Sequence, residues 1–455
     1  MTDETASNGS STAARTDAAV ADVLDAYSSR LETTDPLAAL ADLDDFGELI
    51  ADSRIVGLGE ATHGTREFFR LKHRLLRYLV VEHDLRVIAL EANFPETLAI
   101  DEYVVHGRGD PADALADIYF WTWNVDSVLS LIEWLREFNE GRPLGDRVRF
   151  YGVDAQYTTG AVDRLGEYFD AVGAALPAAI SEGLETVDDD GTNPDQDEHT
   201  EERIVAGERL VSAVRDHLDD NRRAYVAREG ERAWRLAHQH ATVIEQATAY
   251  RQARADRLRD DTDEVMRRLL RQRDRAMAET VEWLLDHEDA ERIAVWAHDA
   301  HVNRSKHVMR GSDVSETPMG GYLAERHEEA YVALGFAFGR GSFQALSEVR
   351  TAGGEGTPYE LRGQTLSGPL ANTIDATLDT LAHPLALVNV RDAREDERLR
   401  EWLSEPRRHF SAGATYDPET PEEYVTEYAY GTAFDAVCFV AETTRARPVD
   451  EETPE

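Results

Sequence analysis

Lysine is nearly missing from this chain: among 455 residues only Lys72 and Lys306 occur, and arginine supplies almost all the positive charge. Against 48 basic residues stand 89 acidic ones, a formal net charge of −41 at pH 7. A surface so poor in cations repels polyanions, which excludes non-specific binding to nucleic acid or to an anionic membrane. The same imbalance suits a cytoplasm rich in salt, where mobile ions screen carboxylates from one another, so a halophilic protein is expected. Cysteine is as scarce. The lone Cys438 excludes an internal disulfide and a cysteine metal cage, and its setting, "DAVCFVAE", reads as that of a buried small hydrophobe. No apolar run approaches the roughly 18 residues of a membrane span. The N-terminal stretch has neither the basic start nor the apolar segment of a secretory signal. A soluble, cytoplasmic protein is expected. Also absent are a G-x-S-x-G elbow, a G-x-x-x-x-G-K-[ST] loop and an H-E-x-x-H helix, so serine-hydrolase and P-loop chemistry lose most of their support.

What is present divides the chain into regions. With 42% hydrophobic residues it can build a large core, and its length exceeds that of one simple domain. Residues 1–17 and 446–455 read as disordered tails. Residues 181–202, "SEGLETVDDDGTNPDQDEHTEE", read as an acidic, solvated loop. From 203 to 288 the chain is rich in Ala, Arg, Glu and Leu and lacks proline, which predicts a helical insertion folded as an antiparallel hairpin. Regions 18–180 and 289–445 alternate short β-like runs with amphipathic helices. That is the pattern of an α/β core with a largely parallel or mixed sheet flanked by helices. Seven strands are expected, at 54–59, 86–90, 147–153, 292–297, 330–338, 385–390 and 435–442.

The carboxyl ends of the first four strands matter most for function. These strands end at Glu60, Glu91, Asp154 and His298, and in open α/β sheets ligands bind beyond the carboxyl ends of the strands. The first of these ends, "GLGEATHG", carries two glycines like a dinucleotide loop, but Thr62 stands where the third glycine of that fingerprint belongs. A carboxylate and an imidazole, Glu60 and His63, suit catalysis better than phosphate. "WAHDAHV" places His298 and His301 three apart after the fourth strand, a spacing that serves one helical face or metal ligation. On the helix predicted over 67–83, Phe68, Leu71, Leu75, Leu76 and Leu79 form the apolar stripe, with Arg70, Arg74 and Arg77 opposite. Lys72 falls inside the stripe. An inward ammonium must pair with a carboxylate such as Glu60 or Glu91, or bind something anionic. Trp121 and Trp123 precede a further helix and serve either as core or as a pocket wall.

In order along the chain, "GEATHGTREFF", "LEANF", "WTWNVDSVLSLIEWL", "YGVDAQ", "RDRAMAE", "WAHDAHV", "MGGYL" and "GFAFGRGSFQA" resemble the erythromycin esterase family. The resemblance runs from about 50 to 345 and more faintly to about 442. It implies an α/β core with a helical insertion and metal-independent hydrolysis of an ester by a histidine-activated water, with no cofactor. Carried over residue by residue, it implies Glu60 and His63 as the acid and imidazole of the first block, Glu91 as the glutamate of the second, and His298 and His301 as the histidines of the sixth. Lys72 stands where macrolide-cleaving members have arginine, and Thr280 where an asparagine is common. The expected partner is a small-molecule ester or lactone, with Trp121, Trp123, Asp154 and Arg273 as substrate-binding residues. His63 or His298 would take the proton from water, oriented by Glu60 or Glu91, while Lys72 and the other histidine face the oxyanion. Two other readings stay open: the same Glu and His residues hold a divalent metal, or the pocket binds haem or a metabolite without catalysis.

Overall fold

A computed structural model describes residues 20–191, 198–260, 262–306, 308–309, 314–348 and 359–451. Within them run strands β1 (Ser28–Arg30), β2 (Ile55–Leu58), β3 (Val87–Asn93), β4 (Arg149–Asp154), β5 (Ile293–Trp296), β6 (Val308–Met309), β7 (Tyr331–Glu348), β8 (Tyr359–Leu366), β9 (Leu385–Asn389), β10 (Pro406–Phe410), β11 (Val425–Ala429) and β12 (Ala436–Thr443). All seven expected strands are among them. The fold is mixed α/β, with sheet flanked by helices, and its contacts divide it into two compact units.

The first unit comprises residues up to 85, 124–131 and those from 294 onward. Its main sheet has the order β1-β9-β12-β7-β2-β5, and β8 pairs with β7. Strands β2 and β12 run parallel to β7, whereas β9 and β1 add on antiparallel. β2 is buried on both faces, which is why "IVGL" reads as a continuous apolar run rather than an alternating one. The helix Arg66–Glu82 packs beside it, with Phe68 edge-on to Phe336 and Phe338 of β7. All five residues of its predicted stripe are buried. Its opposite face departs from expectation: Arg74 is fully buried, where it forms an ion pair with Asp42 and bonds the Ala39 carbonyl. A second, small sheet has the order β10-β11-β6.

The second unit comprises residues 86–123 and 132–293. It holds the parallel pair β3 and β4 and most of the helices. The expected acidic loop is corrected in its first half, because Ala178–Val187 is a helix that buries Ile180, Leu184 and Val187 on one face. Residues 192–197 of that segment lie outside the described residues. Among the described residues the insertion is more than a two-helix hairpin: helical spans run over Thr200–Asp220, Arg222–Arg259 and Asp263–His287, the second interrupted at Gly230. The middle one bends at Gly230, whose φ of 86° only glycine adopts readily. The expected N-terminal tail, 1–17, lies outside the described residues. At the other end residues 446–451 are ordered, since Ala446 is buried and Val125 pairs with Pro448. Among the described residues no helix is long and apolar enough to cross a membrane.

Candidate active site

In the first unit the chain turns just past β2, and three backbone contacts fix the turn. Gly59 donates to the Leu334 carbonyl of β7 at 2.8 Å, Asp299 donates to the Glu60 carbonyl at 3.0 Å, and Ala412 donates to the Ala61 carbonyl at 2.9 Å. The glycines of "GLGEATHG" serve close approach rather than phosphate binding. A Cβ on Gly64 would lie 2.0 Å from the Gln344 carbonyl oxygen, and one on Gly59 would lie 1.9 Å from the Asp299 carboxylate. Gly59→Ala is therefore expected to displace Asp299 or β7 and to cost about 1–3 kcal/mol, the usual range for overpacking. Denaturant midpoints measure this, and an unchanged midpoint would show that the turn tolerates a side chain.

The turn delivers Glu60 into a site with no solvent exposure. One carboxylate oxygen meets Nδ1 of His63 at 2.6 Å, and the other accepts from the Trp296 indole at 2.9 Å and from the Lys72 ammonium. Lys72 is wholly buried, its Nζ 4.4 Å from the centre of the Trp296 ring and near Phe69 and Phe336. Its place in the apolar stripe thus corresponds to an ion pair with Glu60, one of the two pairings read from the sequence. A partly solvated ammonium facing a developing oxyanion is corrected, because Nζ lies behind Glu60's carboxylate among rings.

Past β5, His298 caps the short helix Asp299–Val302, and its Nδ1 accepts from the Ala300 N–H at 3.1 Å. Its ring lies 4.9 Å from that of His63, centre to centre. The two imidazoles are thereby set in opposite senses. A carboxylate only accepts, so neutral His63 carries its proton on Nδ1 and leaves Nε2 as a base. An N–H only donates, so neutral His298 carries its proton on Nε2, as a donor. His301 lies in the same turn, half-buried, with its N–H on the His298 carbonyl.

In the second unit a separate polar group forms around Arg273. Its guanidinium bonds Glu91 at 2.7 Å and Asp154 at 2.8 and 3.0 Å, and Gln156 bonds Asp154 at 2.6 Å. Although the half-buried setting disfavours charge, the charges of Asp154 and Glu91 hold the guanidinium even more firmly protonated than usual. Asp154 is buried, and its oxygens accept from Arg273, Gln156 and the Ala155 N–H. Trp123 is a core residue whose indole donates to the Glu91 carbonyl, while Trp121 is half-buried. A groove of about 570 Å³ between the three insertion helices, lined by Val211, Arg215, Ala253 and Arg268 among others, holds none of the candidate residues. Among the described residues no three His, Cys, Asp or Glu side chains converge to hold a metal ion.

Sequence reasoning passed over Trp296, Asp299, Asp375 and His409, which surround this turn. Asp299 was in view between the two histidines of "WAHDAHV", and its position just past β5 was the signal available.

The sequence profile described as "Erythromycin esterase" matches residues 80–443. The chain belongs to the erythromycin esterase family. It is 25% identical over 375 residues to the erythromycin esterase type II of Escherichia coli, covering 78% of this chain and 85% of that protein. Solved structures share its fold. A Bacillus cereus protein superposes with a TM-score of 0.78 at 24% identity, covering 94% of this chain and 98% of its own. An erythromycin esterase mutant in its open conformation superposes with a TM-score of 0.68 at 18% identity, covering 93% and 99%. The eight blocks from which the family was recognised therefore mark a likeness that spans nearly the whole erythromycin esterase fold.

Proposed function

We propose that this protein hydrolyses a carboxylic ester or lactone with His63 as general base. The observation that carries the reading is the opposed setting of the two imidazoles. His63 Nε2 takes the proton of a water as it attacks the carbonyl carbon, and the Glu60 carboxylate on Nδ1 stabilises the imidazolium that forms. His298 Nε2–H donates to the oxygen on which charge develops. When the tetrahedral intermediate collapses, His63 returns the proton to the leaving alkoxide. Lys72 acts one step back: it pairs the charge of Glu60 so that the carboxylate is ready for His63. On the family resemblance we also propose Glu91 as a catalytic residue and Arg273 and Trp121 as substrate-binding groups, with Asp154 orienting Arg273. His301 is retained as a site residue through the family's sixth block.

The carbonyl class is better supported than any one substrate. The named relative is an erythromycin esterase, but Lys72 replaces an arginine of macrolide-cleaving members, and arginine's planar fork and lysine's point charge are not interchangeable. The test is a panel of esters and lactones, macrolides included, assayed in molar salt and again after dialysis against a strong chelator with metal content measured. Turnover of at least one carboxylic ester that survives chelation is the expected result. Activity lost on chelation and restored by zinc or manganese would transfer the Glu and His residues to metal ligation, and no turnover on any ester would remove the hydrolase reading.

A further inference from the structure

The proposed mechanism leaves unused a buried row of ionisable side chains in the first unit: Asp299, His409 and Asp375, each at most 1% exposed. His409 Nε2 lies 3.4 Å from an Asp299 oxygen, and Nδ1 lies 3.7 Å from an Asp375 oxygen and 2.9 Å from the Tyr430 hydroxyl. The Tyr428 ring closes the remaining side, 5.7 Å from the imidazole. Asp299 is tied directly to both catalytic loops. It follows His298 in the chain, its N–H donates to the Glu60 carbonyl, and its carboxylate covers Gly59 while accepting from the Phe336 N–H at 3.2 and 3.3 Å. The segment that carries His409 reaches the same place by backbone, through Ala412 on Ala61, and Phe410 donates to Asp375 at 3.0 Å.

We propose that His409 is a positioning residue, a buried imidazolium between Asp299 and Asp375 that holds Asp299 in place and, through it, the loops bearing His298 and Glu60. This rests on the hydrolytic reading for its effect on turnover, though not for its structural part. The physical reason is charge. Two buried carboxylates face His409, both with their pKa pushed up by burial, with the hydroxyls of Tyr428 and Tyr430 as the other titratable neighbours, and the charge of Lys72 also acts on Asp299. With a neutral imidazole, both carboxylates would be left with too little compensation in a dry interior. Burial pushes His409 towards the neutral form, yet the charges of Asp375 and Asp299 outweigh it, and its pKa stands above the ordinary 6.5. A histidine with a raised folded pKa gives stability that is fully present below 6.5 and fades as pH rises through the folded value. Turnover should fade with it on the alkaline side.

Two measurements on the full-length protein decide this. In the first, ¹⁵N-histidine NMR spectra are recorded against pH, with His409→Gln identifying the signal. His409 is expected to stay charged above pH 6.5, and the His63 and His298 signals to report its transition. In the second, kcat and KM are followed against pH for Asp375→Asn, which removes one of the two carboxylates that raise the pKa. The alkaline limb of kcat should move to lower pH with KM within about twofold, whereas His409→Gln should have no such limb and lose about 10²-fold in kcat, the typical cost of a 1 Å misplacement. A His409 neutral at pH 6.5, or an alkaline limb that Asp375→Asn leaves in place, overturns the proposal. Should no ester be cleaved, the hydrolytic reading falls, while the NMR measurement still decides whether His409 is charged and coupled to the two loops.

Discussion

Lys72→Met is expected to cost about 3–5 kcal/mol of folding stability, the usual loss when one partner of a buried ion pair is removed. The reason lies in what surrounds the ammonium. Glu60 and Lys72 are both without solvent exposure, and the rings of Phe69, Trp296 and Phe336 stand near Nζ, so water has no easy way in to replace the lost cation. Methionine fills the stem's volume but leaves a carboxylate whose charge is unmatched. The double variant Glu60→Gln/Lys72→Met removes both charges and should recover much of the stability, since an apolar or neutral replacement of a whole pair is often nearly neutral. It should not recover turnover, because a glutamine cannot stabilise the imidazolium of His63. Lys72→Arg keeps the charge but overpacks the ring-lined site, at about 1–3 kcal/mol. Unfolding in denaturant, with the slope checked for constancy, measures all three. A Lys72→Met protein as stable as the parent would show that the pair does not hold the site together.

His63→Asn should lower turnover by about 10²- to 10⁴-fold, the range associated with a lost general base, with little change in stability. Asparagine can still donate to Glu60, so the buried carboxylate keeps a partner, but no proton acceptor is left where Nε2 stood. His298→Asn is the informative contrast. It removes a donor to the developing oxyanion, expected to cost about 10²- to 10³-fold, yet it leaves His63 in place. The two variants therefore differ in chemical rescue: added imidazole should restore part of the turnover of His63→Asn, which lacks a base, and none of that of His298→Asn. The reverse pattern would exchange the two roles.

The difference between what sequence alone revealed and what it concealed comes from burial and alternation. Strands such as β2 and β5 are buried on both faces, so they read as apolar runs with sharp ends, and the residues just past those ends, Glu60 and His298, stood out. Lys72 was legible because a charge inside a helical stripe breaks the pattern. β10 and β11 mix polar and apolar residues, and "RRHF" looks like ordinary basic surface, so nothing marked His409 as buried. Arg74 was misplaced for a related reason: helix periodicity separates faces, but it does not reveal that Asp42 and the Ala39 carbonyl cover the polar one. The helix Ala178–Val187 shows the opposite case. Its buried Ile180, Leu184 and Val187 stand at helical spacing, and the acidic residues after them masked the pattern. The pairing of Arg273 with Asp154 and Glu91 needs the tertiary fold, because no local spacing brings residues so distant in sequence together.

The turn that carries Glu60 and His63 has a topological consequence for how the protein becomes active. Gly64 accepts from Ala446, Arg66 donates to Thr444, and Thr65 pairs with Arg445, so a turn and helix start made early are completed by residues nearly a whole chain length away. Contacts of such sequence separation close late and slowly, because the loop entropy is lost before the contact is gained. During synthesis Glu60 and His63 emerge early but stay without these braces until residues 412 and 444–446 have left the ribosome. The turn that bears Glu60 and His63 is thus expected to be among the last parts of this fold to settle.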